Sequence, residues 1–157
     1  MTRLALLAAL LVLAPGLAPA QEAADADAPD TASVSPALPD GTFTLELNNA
    51  ASLDGEVCQL TYVATNDSAE DLAQASFQVG FFDAEGIVRR ILVLDFGALP
   101  PGKTRIVPFN LPEQSCEDLS RIVVNDVAEC AVAGGGTSAI CGAGLNTASR
   151  TDIQFGL

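Results

Sequence analysis

Residues 57–96 read VCQLTYVATNDSAEDLAQASFQVGFFDAEGIVRRILVLDF, three apolar runs separated by turn-forming residues. In 57–65 the even positions Cys58, Leu60, Tyr62 and Ala64 alternate with Gln59, Thr61 and Thr65, the period of two that marks a half-buried strand. In 76–83 the odd positions Phe77, Val79 and Phe81 take the core side and Gln78 and Gly80 the other, with Phe82 as an apolar exception. Asp83-Ala84-Glu85-Gly86 then places an acid first and a glycine fourth between two apolar runs, which is the chemistry of a short hairpin turn. The strand that follows, 87–96, is unlike the others. Val88, Leu92, Leu94 and Phe96 fall on one face and Ile87, Ile91 and Val93 on the other, interrupted only by Arg89, Arg90 and Asp95.

On the N-terminal side, Phe43, Leu45 and Leu47 alternate with Thr44 and Glu46, predicting a strand over 43–47 followed by a polar loop at 48–55. On the C-terminal side, the prolines of Gly97-Ala98-Leu99-Pro100-Pro101-Gly102 have no N–H to give a ladder, so this segment turns. A strand over 103–110 carries Pro108, which assigns it to an edge, a bulge or a strand end. Residues 111–118 make a crossover, 119–127 another strand, and 151–155 a last one with Ile153 and Phe155 inward. No helical period occurs. About seven strands joined by turn chemistry predict an all-β, antiparallel β-sandwich.

The ends of the chain have a different composition. Residues 1–20 combine Arg3, an apolar run at 4–14 and the small-x-small ending Ala18-Pro19-Ala20, the pattern of a secretory signal peptide with the mature chain starting at Gln21. The run is short of the roughly 20 residues that span a bilayer, so no stable membrane insertion is expected after cleavage. Residues 21–40 hold five acids, three prolines and no base, too little apolar surface to offset chain entropy, and predict a disordered acidic tether. Residues 41–157 then form the single folded domain. Six of the seven basic residues and all 20 acids lie beyond residue 20, so the mature chain carries a formal charge of six minus twenty, −14. Such a surface repels nucleic acid and anionic bilayers alike.

The chemistry of catalysis is thin. With no histidine, the serine triad in its common form, the cysteine dyad and most zinc and copper sites are not available. Lys103, the only lysine, sits beside a turn. Asp83 and Glu85 offer oxygens to calcium, which needs six or more, and the turn itself accounts for both. Glu117-Asp118 and Asp126 with Glu129 read as solvated acids, and Asn66-Asp67-Ser68 fits a glycosylation sequon but reads rather as a turn. The reading is a non-enzyme without cofactor or metal site.

The hairpin SFQVGFFDAEGIV, the Pro/Gly turn and KTRIVPF together resemble the bacterial FxLYD-type immunoglobulin-like domains over about residues 56–110, with Phe82-Asp83-Ala84-Glu85-Gly86 as the most specific piece. The wider order Cys58, FFDAEG, LPPGKTR, Cys116, VVNDV, Cys130, Cys141 resembles a group of alphaproteobacterial exported proteins labelled by a twin-arginine signal, although Arg3 stands here without a second arginine. The resemblance implies an immunoglobulin-like sandwich and a periplasmic or secreted address, and no activity. Four cysteines in an exported chain imply two disulfides, for which three pairings exist. If the strands run as in an immunoglobulin-like sandwich, Cys58 meets Cys116, and Cys130 meets Cys141 across AVAGGGTSAI.

The functional expectation is an exported module that acts by contact with a protein partner in the cell envelope, the contact surface being Ile87, Arg89, Arg90, Ile91 and Val93. Two alternatives stand beside it. The strand 87–96 is covered on both faces by the tether or a loop, or the protein is a small-ligand carrier or an enzyme of unfamiliar type with a pocket between the sheets.

Overall fold

Alternation along the chain becomes eight strands among the residues described by the computed structural model, 40–54 and 56–157. They are β1 (Phe43–Leu53), β2 (Val57–Asn66), β3 (Leu72–Phe82), β4 (Val88–Leu99), β5 (Thr104–Leu111), β6 (Arg121–Val132), β7 (Leu145–Ser149) and β8 (Gln154–Gly156). Two four-stranded sheets, ordered β5-β2-β1-β7 and β4-β3-β6-β8, pack as a sandwich. The only helical turn among the described residues is a 3-10 turn at Cys116–Asp118. These eight strands lie in one compact unit. The expected signal peptide and tether lie outside the described residues except for Asp40.

The core forms where the periodicity places it. Cys58, Leu60, Tyr62, Ala64 and Asn66 of β2 are all buried, as are Phe43, Leu45 and Leu47 of β1 and Phe77, Val79 and Phe81 of β3. Tyr62 stands at the centre, edge-on to Phe155, Phe109 and Phe96 with ring centroids 5.3, 5.9 and 6.0 Å away. Each such pair adds about 0.5–1.5 kcal/mol to the burial of the rings. The Tyr62 hydroxyl is buried with no hydrogen-bond partner among the described residues, and burial holds its phenol protonated well above the ordinary tyrosine range.

Two inter-sheet crossings, β2 to β3 and β4 to β5, are tied together by one side chain. Asn66 is fully buried, and its Nδ2 donates to the carbonyls of Glu70 at 2.7 Å and Leu99 at 2.8 Å. Its Oδ1 accepts from Ser68 N at 3.1 Å and Ser68 Oγ at 2.6 Å, and its backbone joins Lys103 and Gly102. A buried amide with both donors and its oxygen engaged is a structural pin, and the turn reading of Asn66-Asp67-Ser68 holds. Gly41, at φ +96°, passes so close to this turn that a Cβ would stand 2.7 Å from Asp67 O and Ser68 Cα.

The hairpin forms as its chemistry requires. Gly86 N donates to Asp83 O at 3.0 Å, Ile87 N to the Asp83 carboxylate at 2.8 Å, and Gly86 takes φ +79°. Pro108 lies on β5, an edge strand, opposite Thr61.

Three expectations change. The polar loop expected at 48–55 is largely strand: after a bulge between Leu47 and Asn49, β1 continues to Leu53 against β2, because cross-strand pairing satisfies its backbone even where neither face is buried. LNTAS forms β7, unforeseen because only Leu145 in it is buried, whereas the strand expected at 151–155 shortens to β8. Ile153 is buried and Phe155 packs partly against the core, as expected. Lastly, β7 runs parallel to β1 and β8 parallel to β6, in an otherwise antiparallel sandwich. The reason is residues 133–144, which carry the chain back so that Leu145 starts beside Phe43.

Both disulfides connect these pieces. Cys58 at the start of β2 is bonded to Cys116 in the crossover, with Cα atoms 4.9 Å apart, and Cys130 near the end of β6 is bonded to Cys141, 6.1 Å apart. Two structural bridges point to an oxidising, extracytoplasmic environment. No helix among the described residues is long and apolar enough to cross a membrane.

Candidate functional site

β4 forms one edge of the second sheet, with β3 on its inner side. From Arg90 to Asp95 its ladder with β3 is regular, and it is bulged at both ends, near Arg89 and near Gly97. The regular part sorts the side chains cleanly. Leu94 and Phe96 are buried and Leu92 packs partly against the core, while Ile91 and Val93 are 56 and 57 % exposed. The aliphatics expected on the outer face are therefore on it, and uncovered by any described residue.

The bulge corrects one face assignment. Phe81 pairs with Arg90 but Phe82 pairs with Val88, so Arg89 is the extra residue and Val88 lies opposite the outward Phe82. Val88, placed by simple alternation with the core set, is 46 % exposed. Arg90, opposite the buried Phe81, is half-buried and leaves the outer face to Arg89. The adjacent arginines are thus separated by the pleat. Arg89 Nε lies 3.7 Å from the Asp83 carboxylate, a mostly exposed pair that contributes little to stability. Ile87, 56 % exposed, sits at the end of the hairpin turn.

The neighbours of this strip extend the patch. Gly80 lies between Ile91 on β4 and Val123 on β6, and the Phe82 ring leans towards it, since a Cβ on Gly80 would lie 3.5 Å from that ring. The Arg121 guanidinium stands 4.1 Å over the Phe82 ring. Sequence reading marked Phe82 as an exception but missed Arg121, which only the β3–β6 register brings to it. Below Val93 the face turns polar: Asn125 donates to Gln78 at 2.6 Å, and the Asp95 carboxylate accepts from Gln74 at 2.5 Å and from Gly97 N at 2.7 Å. The result is a small apolar surface of Val88, Ile91, Val93, Phe82 and Val123 with Arg89, Arg121 and Asp95 around it.

Other concave regions are shallower in chemistry. A surface cleft of about 340 Å³ gathers Asp83, Glu85, Glu113 and Asp118 with Arg89, and a larger one of about 540 Å³ beside Cys116 contains Arg150 and Asp152. In the latter, Arg150 Nε donates to Glu46 at 2.7 Å, which holds the Glu46 carboxyl below the usual carboxylate range. Among the described residues no three His, Cys, Asp or Glu side chains converge as a metal site would require. The centre of the sandwich, between the sheets, is filled by Tyr62, Phe77, Phe96 and their neighbours. No protein-family model, curated protein or solved structure matches the chain.

Proposed function

We propose that this protein is an exported, non-enzymatic immunoglobulin-like module that acts by protein contact in the bacterial cell envelope, periplasmic or secreted, with the outer side of β4 as its contact surface. The observation that carries this reading is the row Val88, Ile91 and Val93, exposed on an edge strand of a disulfide-bonded sandwich. Three half-exposed aliphatic side chains cost about 1 kcal/mol each to keep in water, so a partner that covers them gains that energy. Arg89 and Arg121 at the rim supply orientation and favour an acidic partner, and Asp95 limits how acidic that partner is where it passes. The resemblance to FxLYD-type domains and the leader-like residues 1–20 support the family and the address within the same reading.

The test is recovery of bound protein from envelope extracts by the exported protein and by its Ile91→Thr/Val93→Thr variant. The variant should keep its melting temperature, because both side chains are more than half exposed, and should lose the bound protein. Recovery unchanged in the variant, or unfolding of the variant, refutes the assignment of the surface.

A further inference from the structure

The four edges of the sandwich are not equally guarded. β7 and β8 are five and three residues long, and β5 is interrupted by Pro108. Short strands and prolines are the ordinary means by which an edge is kept from pairing with another chain. β4 is 12 residues long with no proline, and between its two bulges a regular six-residue stretch keeps its outer backbone edge unpaired by any described strand. At the far end Arg105 reaches the Ala98 carbonyl at 3.3 Å, so the unguarded part runs from Arg90 to Asp95.

We infer that this edge pairs with a second copy of the same chain, antiparallel and about a two-fold axis at Leu92, making one continuous eight-stranded sheet. The inference rests on the contact-surface reading above and names its occupant. Self-complementarity is what selects the second copy. In an antiparallel pair, residues that face each other share a face, so the copies align with an even sum of positions. Centred on Leu92, the register sets Ile91 opposite Val93 on the outer face and brings Arg89, the exposed bulge residue just beyond the regular stretch, to Asp95, each twice by symmetry. On the inner side Leu92 meets its counterpart and Arg90 lies across from Leu94. Moving the register by two residues sets Asp95 against Ile87 or against Ile91 and leaves Arg89 without a carboxylate, so the pattern specifies one alignment. The strong negative charge of the chain disfavours association in general, but the two outward charges at this edge, Arg89 and Asp95, are of opposite sign and meet across the pair. One added strand pair buries a small interface, so the dimer is weak and reversible.

The exported protein, recovered as the cell delivers it, should show monomer–dimer equilibrium in sedimentation with a dissociation constant between about 1 µM and 1 mM. Arg89→Asp places like charges opposite each other at both ends, and so does Asp95→Arg; each alone should associate at least about tenfold more weakly. Mixed, the two variants set opposite charges at both contacts and should form a heterodimer of about the original affinity. A protein that stays monomeric to about 1 mM overturns the inference, as does equal self-association of either variant. A monomer that dimerises only when residues 21–39 are removed assigns the edge to that segment and also overturns it. Should Asp95→Arg fail to fold, hydrogen exchange of the unaltered protein decides: the edge-facing amides between residues 90 and 94 slow as concentration rises, and concentration-independent exchange overturns the dimer. A monomer whose Ile91→Thr/Val93→Thr variant still loses its bound envelope protein refutes the dimer and leaves the contact-surface reading intact.

Discussion

Replacing Asn66 with alanine tests the idea that one buried amide locks both inter-sheet crossings. The substitution removes four hydrogen bonds, two donated to the carbonyls of Glu70 and Leu99 and two accepted from Ser68. At about 1 kcal/mol net for each, the cost is about 4 kcal/mol, a large share of the 5–15 kcal/mol that holds a domain of this size together. It corresponds to a fall in melting temperature of about 16 °C, taking an unfolding entropy of about 2.1 cal/mol/K per residue over the folded part. Asn66→Asp keeps the acceptor oxygen that takes both bonds from Ser68, loses both donors and leaves a carboxylate facing two carbonyls, so it should be at least as damaging at neutral pH. The assay is urea unfolding followed by far-ultraviolet circular dichroism and by the fluorescence of Tyr62, the one tyrosine in a chain without tryptophan. A loss below about 1 kcal/mol for Asn66→Ala would show that water or a rearranged turn replaces these bonds and that Asn66 is not the pin.

Further outcomes follow from the same packing. Tyr62→Phe should be neutral or stabilising within about 1 kcal/mol, since the buried hydroxyl has no partner among the described residues to lose. In the unaltered protein the folded state keeps Tyr62 protonated while the unfolded chain ionises near pH 10. Stability present below that pH is therefore lost as pH rises above it, by about 1.4 kcal/mol per unit, and tyrosinate absorbance should appear only with unfolding; Tyr62→Phe should lack this component of the alkaline loss. Removing the pair Cys130 and Cys141 by alanine substitution should cost about 3 kcal/mol and the pair Cys58 and Cys116 about 4 kcal/mol in urea titrations, because the second closes the longer loop. Gly41→Ala should lose at least about 1 kcal/mol by calorimetry, its Cβ being forced against the backbone of the Asn66 turn at a positive φ.

The amino-acid pattern by itself determined those elements whose physics is local. Strict alternation placed Phe43 to Leu47, Cys58 to Ala64 and Phe77 to Phe81 in the core, the acid-to-glycine spacing from Asp83 to Gly86 made the hairpin turn, and Pro108 kept β5 at an edge. That Ile91 and Val93 share the face opposite Leu92 and Leu94 was legible for the same reason, but whether that face is bare or covered was not, since a strand with two apolar faces leaves one of them outward or covered by something else. Pairing, by contrast, is settled only in the folded chain. β7 has a single buried side chain, and the tail of β1 is polar, so neither shows a period; each is a strand because another strand, for β7 about a hundred residues away, completes its hydrogen bonds. A one-residue bulge at Arg89 turned Val88 outward, and the partner of Phe82 proved to be Arg121 through the β3–β6 register. Side-chain periodicity reports which face is wet. It carries no record of register, bulges or parallel neighbours, because these depend on backbone groups that every residue shares.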